Sequence, residues 1–292
     1  MKIGFNIFLR EAGSLKLKAF SGFTIIELLV VISIIGLVSS VVFASLSDSK
    51  NKATIAAGKQ FSSSVYHALG SNTVGIYDFE ETSGTTATDS SVTGNNGVIT
   101  GSPSSVSGLN GLAYYFDSSG KYITLPNSAN LELRNAITVS AWIKPIGPIN
   151  TSTWKNIIGK QNEAILAISY GHPRFTIYKD FSPCGAPNYS QALESSGNSG
   201  EFAKADVWQN IVGTFDGSKI KVYLNGKLKA TTNYAVTICD SNNSYVIGGS
   251  NGWGVTNGVI DEVRIYGEAL TASAVGKLFA EGLPRHSLAE NN

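Results

Sequence analysis

Apolar residues follow two different patterns along this chain. From Phe23 to Ala44 the sequence FTIIELLVVISIIGLVSSVVFA is apolar on all sides, broken by the single charge of Glu27. A run of that length makes roughly 33 Å of helix, the hydrocarbon thickness of a bilayer, and predicts a membrane-spanning helix. Beyond it Ala53, Ala57, Phe61, Val65 and Leu69 recur at helical spacing among polar residues such as Asp48 and Lys50, so the helix is expected to continue as a stem to about Leu69 and stop at Gly70. Gly36 and Gly58 read either as flexible points or as small residues packed against a neighbour.

After Gly70 the period changes to short alternating runs bounded by Gly, Asn, Asp and Ser. Ile137, Val139, Ala141 and Ile143 alternate with Thr138, Ser140, Trp142 and Lys144, and Ile220, Val222 and Leu224 alternate with Lys219, Lys221 and Tyr223. Asp216-Gly217 and Asn225-Gly226 each separate two such runs and tolerate positive φ, which predicts a three-stranded meander over 207–231. The expected class is α+β by segment: a long N-terminal helix over 23–70, then an all-β antiparallel two-sheet sandwich over 74–283. The polar stretch 284–292, with Pro284 at its start, is expected to be a frayed tail.

Composition narrows the function. The 292 residues carry 22 Lys and Arg against 21 Asp and Glu, with no basic run in the body, so the electrostatic footprint of a nucleic-acid binder is missing. His67, His172 and His286 and the two cysteines lie far apart, which speaks against a structural zinc site. Residues 1–22 hold Lys2, Arg10, Lys16 and Lys18 against Glu11; the remainder has 18 basic and 20 acidic residues, a net of −2. The basic residues before the apolar run orient it with its start in the cytoplasm and everything after about Leu46 outside. Cys184 and Cys239 are then both extracytoplasmic and pair as a disulfide in an oxidising exterior, or stay as two buried thiols where the exterior does not oxidise.

An unpaired Glu27 inside hydrocarbon costs on the order of 3 kcal/mol, so something must compensate it. The surrounding residues Ser21-Gly22-Phe23-Thr24-Ile25-Ile26-Glu27-Leu28 resemble the class III signal of type IV pilins and of the pseudopilins of type II secretion. The resemblance implies removal of the leader 1–22 by a prepilin peptidase after Gly22 and N-methylation of Phe23. It also implies pairing of Glu27 with the new terminal ammonium of a neighbouring subunit. One departure is the segment Val41-Val42-Phe43-Ala44, which lacks the proline many of these helices carry near the end of the anchor.

The body resembles the laminin G-like, concanavalin A-like jelly-roll family. The resemblance is carried by Val74 to Glu81, Asp89-Ser90-Ser91, Asn95-Asn96-Gly97, Leu112 to Asp117, Ile137 to Pro145, Trp208 to Gly217, Tyr223 to Lys227 and Ile260 to Tyr266. It implies a fold that hosts lectins, adhesion modules and enzymes alike. Members of the family often hold Ca2+, for which Asp89, Asn95, Asn96 and Asp261 are the candidate ligands; the alternative is that Asp261 accepts backbone N–H bonds and no ion binds. Trp154, Tyr189 and Trp253, in or near loops, are candidate sugar-stacking faces. Catalysis is not expected. Asp261 and Glu262 are adjacent and so point to opposite faces of a regular strand, and neither a nucleophile motif nor a paired histidine is present.

These readings combine into a filament subunit, assembled through its N-terminal helix and displaying an adhesion head for a surface glycan or protein. The expected location is a single pass through the cytoplasmic membrane with the C-terminal domain outside, followed by the pilus or pseudopilus at the cell surface. The expected partners are other pilin subunits, the prepilin peptidase and the membrane before assembly. A secretion pseudopilin and a membrane-tethered glycan-active enzyme are the two alternatives.

Overall fold

Helix formation starts at Thr24, where the sequence Thr-Ile-Ile-Glu sets up a reciprocal cap. In the computed structural model, which describes residues 24–40, 42, 46, 72–117, 120–149, 154–180, 184, 189–193, 203–249 and 256–289, a helix (α1) covers 25–40. The Thr24 backbone N–H and its Oγ1 both donate to Glu27 Oε2 at 2.9 Å, and the Glu27 N–H donates back to Thr24 Oγ1 at 3.2 Å. This capping box satisfies two donors that a helix start otherwise leaves open. Ile25, Leu28, Leu29, Ile32, Ile35 and Leu37 are all exposed on α1. The hydroxyls of Ser33 and Ser40 donate back to the carbonyls of Leu29 and Leu37 at 2.7 and 2.8 Å, so these polar atoms are consumed within the helix. Among the described residues no helix is long and apolar enough to cross a membrane. Residues 23, 41, 43 and 44 of the predicted span, and residues 45 and 47–70 of the stem, lie outside the described residues.

Alternation of apolar and polar residues gives two antiparallel sheets. One has the spatial order β14 (Lys227–Asn233), β13 (Lys219–Leu224), β12 (Gln209–Phe215), β7 (Ile137–Pro145), β16 (Gly258–Tyr266), β5 (Leu112–Phe116) and β4 (Ser104–Ser107), with β1 (Thr73–Tyr77) also paired to β16. The other runs β11 (Tyr189–Leu193), β10 (His172–Tyr178), β9 (Ala164–Ser169), β8 (Trp154–Lys160), β15 (Tyr245–Gly248), β6 (Tyr122–Thr124), β3 (Gly97–Thr100) and β2 (Thr86–Ala87). Ile137, Val139, Ala141, Ile143, Ile211 and Phe215 of the first sheet meet Leu166, Ile168, Phe175 and Ile177 of the second in one buried cluster. Each of these side chains larger than Ala141 contributes about 1.5–3 kcal/mol by leaving water. The two sheets press together at Gly213, where a Cβ would lie 2.2 Å from the Phe175 ring. The meander forms as expected, with Asn225 and Gly226 at φ 51° and 72°.

Trp154 opens β8 and Tyr189 opens β11, so each stands where a loop enters a strand. Two expectations differ from the structure. A helix, α2 (Ala272–Ala289), closes the chain and was not anticipated. Its signal is legible afterwards: Thr271 caps it through Oγ1 to the Ala274 N–H at 3.2 Å, and Leu270, Val275 and Leu278 bury against Val212, Tyr223 and Tyr266. The helix also runs through Pro284, where a frayed tail was expected. A proline removes one intrahelical bond, which a helix already anchored by Val275 and Leu278 can sustain.

Gly213→Ala is expected to force the sheets apart at Phe175 and to cost about 2–3 kcal/mol. For a domain of this size that is a Tm drop of about 5–10 °C, readable by thermal melting of the detergent-solubilised chain.

Candidate functional site

The chain leaves β1 at Asp78 and turns sharply at Phe79, whose φ of 55° is unusual for a bulky residue. Core packing holds it there, since the Phe79 ring is buried edge-on to Tyr114 at 5.4 Å. With the ring turned inward, Asp78, Glu80 and Glu81 line a cavity of about 290 Å³ together with Phe79, Thr88 and Ser90. Glu81 Oε1 accepts the Thr88 N–H at 2.6 Å, while its Oε2 is buried with no hydrogen-bond partner among the described residues. Both oxygens of Glu80 lie 3.3 Å from the Leu112 N–H. Partial burial, and then the nearby carboxylates of Glu262, Asp78 and Glu81, hold Glu80 above the usual carboxylate range despite that bond. The cavity is rich in hydrogen-bond acceptors, so it suits a ligand that brings several O–H donors.

The expected calcium ligands divide into two places. Asp89, Asn95 and Asn96 do come together in the loop between β2 and β3. Asp89 Oδ1 accepts the N–H groups of Ile76 and Ser91 at 2.9 Å, and Oδ2 accepts the hydroxyls of Ser91 and Thr93 at 2.9 and 3.0 Å and the Asn95 N–H at 2.7 Å. Asn96 Oδ1 accepts the Asp89 N–H at 2.8 Å, and Asn95 Oδ1 accepts the Ser128 hydroxyl at 2.6 Å. Asp261 instead accepts the N–H groups of Leu109 at 2.8 Å and Glu262 at 2.7 Å. These four residues do not fit calcium: their oxygens face the hydrogens of donors, which repel a cation, and five bonds would have to break at Asp89 alone. Asp89 is a clasp that fastens its loop to β1.

Asp261 also departs from the regular strand assumed for it. A bulge between Asp261 and Arg264 in the pairing with β7, with Glu262 at φ 49°, breaks the alternation of faces. The Arg264 guanidinium bridges Glu262 Oε2 at 2.9 Å and both oxygens of Glu281 on α2 at 2.9 and 3.1 Å. Beside it lies a cavity of about 10 Å³ lined by Ser140, Trp142, Asn210 and these charged groups. That is room for about one water, and the partnerless buried Asn210 Oδ1 is an acceptor such a water would satisfy. Phe279 stacks on Trp142 at 5.6 Å and closes the face. Asp261 is 1% exposed, and burial, then the Glu262 carboxylate, push it up to about 8 against its two N–H bonds.

Of the three aromatics proposed for stacking, Trp154 is half-buried, donates its indole N–H to Asn156 Oδ1, and has the Arg174 guanidinium 4.0 Å from its ring. One ring face is thus occupied by a cation–π contact. Trp253 and the side chain of Tyr189 lie outside the described residues, as do Gly22 and Phe23. The disulfide between Cys184 and Cys239 is formed. Among the described residues, carboxylates that converge closely enough to hold a metal are those of Glu132, Glu163 and Asp240.

Residues 117–276, more than half of the chain, match the concanavalin A-like lectin/glucanases superfamily in its laminin G form. The chain belongs to that superfamily. Residues 17–43 match the prokaryotic N-terminal methylation motif, so this superfamily member carries a type IV pilin signal ahead of its jelly roll. No curated protein matches the chain. Among solved structures it is similar to the binding domain of Paraclostridial Mosquitocidal Protein 1 (TM-score 0.60, 17% identity, 72% of this chain and 52% of that one). It is also similar to domain 4 of AbnA, an extracellular arabinanase from Geobacillus stearothermophilus in complex with arabinotriose (0.55, 23%, 71% and 98%). A third is the botulinum neurotoxin serotype D ligand binding domain in complex with N-acetylneuraminic acid (0.56, 17%, 74% and 52%). The chain spans about half the length of the toxin structures, and at these identities the likeness establishes the fold.

Asp261 supplies a pH test. Its carboxyl lies near 3.8 when unfolded and about 8 when folded, so its contribution to stability is fully present below pH 4 and is lost as pH rises toward 8. Asp261→Asn, neutral throughout, is expected to flatten the fall in unfolding free energy between about pH 4 and 8, measured by urea unfolding at several pH values.

Proposed function

We propose that this protein is a type IV pilin-like filament subunit whose jelly-roll head binds a polyhydroxylated ligand, a glycan on a surface or another cell. The observation that carries the reading is one chain joining a prepilin methylation signal to a lectin-type sandwich with an acceptor-lined cavity. The Gly22–Phe23 bond is the peptidase site, and Glu27 pairs with the terminal amine of an adjoining subunit once Phe23 is exposed. The exposed apolar surface of α1 supports membrane residence before assembly and helix packing within the filament afterwards. Sugar hydroxyls would donate to Asp78, Glu80 and Glu81, and the sugars bound by the arabinanase and neurotoxin domains favour this ligand class.

The head is proposed to bind without cleaving. Glycoside hydrolysis needs two carboxylates facing each other across a substrate-sized space, one as acid and one as nucleophile or base. Glu262 faces a cavity that admits about one water, and Asp261 is buried on the Leu109 and Glu262 N–H groups. In the larger cavity Glu80 and Glu81 are engaged by the N–H groups of Leu112 and Thr88. A secretion pseudopilin remains the alternative assembly. It is distinguished by whether the protein is recovered in filaments sheared from the cell surface.

Mass spectrometry of sheared filaments is expected to find a chain beginning at N-methylated Phe23; an intact N-terminus overturns the pilin reading. Glu27→Gln keeps an acceptor for the Thr24 N–H but drops the charge, and is expected to abolish filaments while the chain still accumulates in the membrane. Glu80→Gln with Glu81→Gln is expected to weaken binding of the full chain on a glycan array at least about tenfold, a loss of about 1.4 kcal/mol.

A further inference from the structure

Lys160 ends β8 with its side chain 1% exposed, deep among carboxylates. Its Nζ lies 2.6 Å from Glu132 Oε1 and 3.1 Å from Glu163 Oε2. Glu132, Glu163 and Asp240 each bring a carboxylate oxygen within 4.8 Å of the others, a convergence that a positive charge among them stabilises against mutual repulsion. Four separate segments supply the parts: the stretch after the Ala129–Leu131 turn, the end of β8, the β8–β9 turn, and the strap that follows the disulfide at Cys239. Glu163 also accepts the N–H and hydroxyl of Ser241 at 2.7 and 2.8 Å, and Asp240 accepts from Arg134 at 3.1 Å. The Tyr245 ring lies beside the ammonium, 5.9 Å from Nζ to its centroid.

We infer that Lys160 is the resident cation of this carboxylate centre, doing with a covalently attached ammonium what a bound calcium ion would do, and that the fold of this part of the head is therefore calcium-independent. An ammonium supplies one charge and three donors, enough to draw two carboxylates into contact. A divalent ion entering the same space would have to displace that ammonium from Glu132 Oε1 and Glu163 Oε2. The inference agrees with the donor-filled oxygens of Asp89 and Asp261, where acidic groups are likewise satisfied by the protein's own donors. It stands independently of the filament reading, because it concerns the head's fold and not its ligand or assembly.

The test is thermal melting of the full chain in detergent, in millimolar Ca2+ and in excess chelator. The wild-type Tm is expected to be the same in both, and a Tm that falls on chelation overturns the inference. In Lys160→Met Glu132 and Glu163 lose their counter-charge beside Asp240, so Tm is expected to fall by roughly 5–10 °C in chelator and to recover at least in part in Ca2+. A Lys160→Met chain that Ca2+ does not stabilise also overturns it. Should that variant fail to fold in chelator, recovery of folded chain when Ca2+ is present throughout purification supports the inference. Failure in both, while Lys160→Arg folds normally, overturns it. Lys160→Arg keeps the charge and is expected to melt identically with and without Ca2+.

Discussion

Each charge this chain removes from water must be matched by donors or by an opposite charge placed by the fold, and most of what is distinctive in the structure follows from that requirement. Asp89 is matched by five donors from its own loop and β1, Arg264 by two glutamates from β16 and α2, and Lys160 by carboxylates from neighbouring turns. A jelly roll supplies a generic apolar interior through alternation, and any of many sequences could fill it. The charged clusters are different, because each joins segments far apart in sequence and is satisfied only in one arrangement. They fix the loops that alternation leaves undetermined.

The same requirement explains why the residues first assigned to calcium are already satisfied by donors of the chain itself. Asp and Asn near Gly and Ser in a loop look alike whether they hold an ion or hold the loop itself, since both roles call for several oxygens at close range. The difference lies in where the hydrogens are. Around Asp89 the Ser91, Thr93 and Asn95 donors have already converged. Sequence shows the donors and acceptors as a set; only the three-dimensional arrangement shows that they neutralise one another.

How much was legible divides along the same line. The strands around Ile137–Ile143 and Ile220–Leu224, both hairpin turns and the disulfide were readable, because period, turn chemistry and compartment act locally or impose few choices. The cavity below Phe79 was not, since nothing in Tyr-Asp-Phe-Glu-Glu says that the ring turns inward and leaves three carboxylates around one space. The α2 helix was missed for a different reason: its anchoring face, Leu270, Val275 and Leu278, was present, but Pro284 and the preceding run of strands weighed against a helix there. Lys160 was overlooked because a lysine at a strand end ordinarily reaches into water.

Glu27 shows how a local and an intermolecular solution can share one carboxylate. As an acid in an apolar run, it calls for a partner from a neighbouring subunit. The structure gives it a first partner in Thr24, three residues back, through a capping box written in the sequence as Thr-x-x-Glu. Hydrogen bonds within the cap fix the carboxylate's position at the start of α1, where the helix dipole favours a negative group. Cleavage after Gly22 would place a new positive charge one residue before Thr24, at the end of the helix where this acid is held. An acid already positioned loses less side-chain freedom on pairing with a neighbour's amine than a mobile one, so the cap lowers the entropic cost of assembly rather than competing with it.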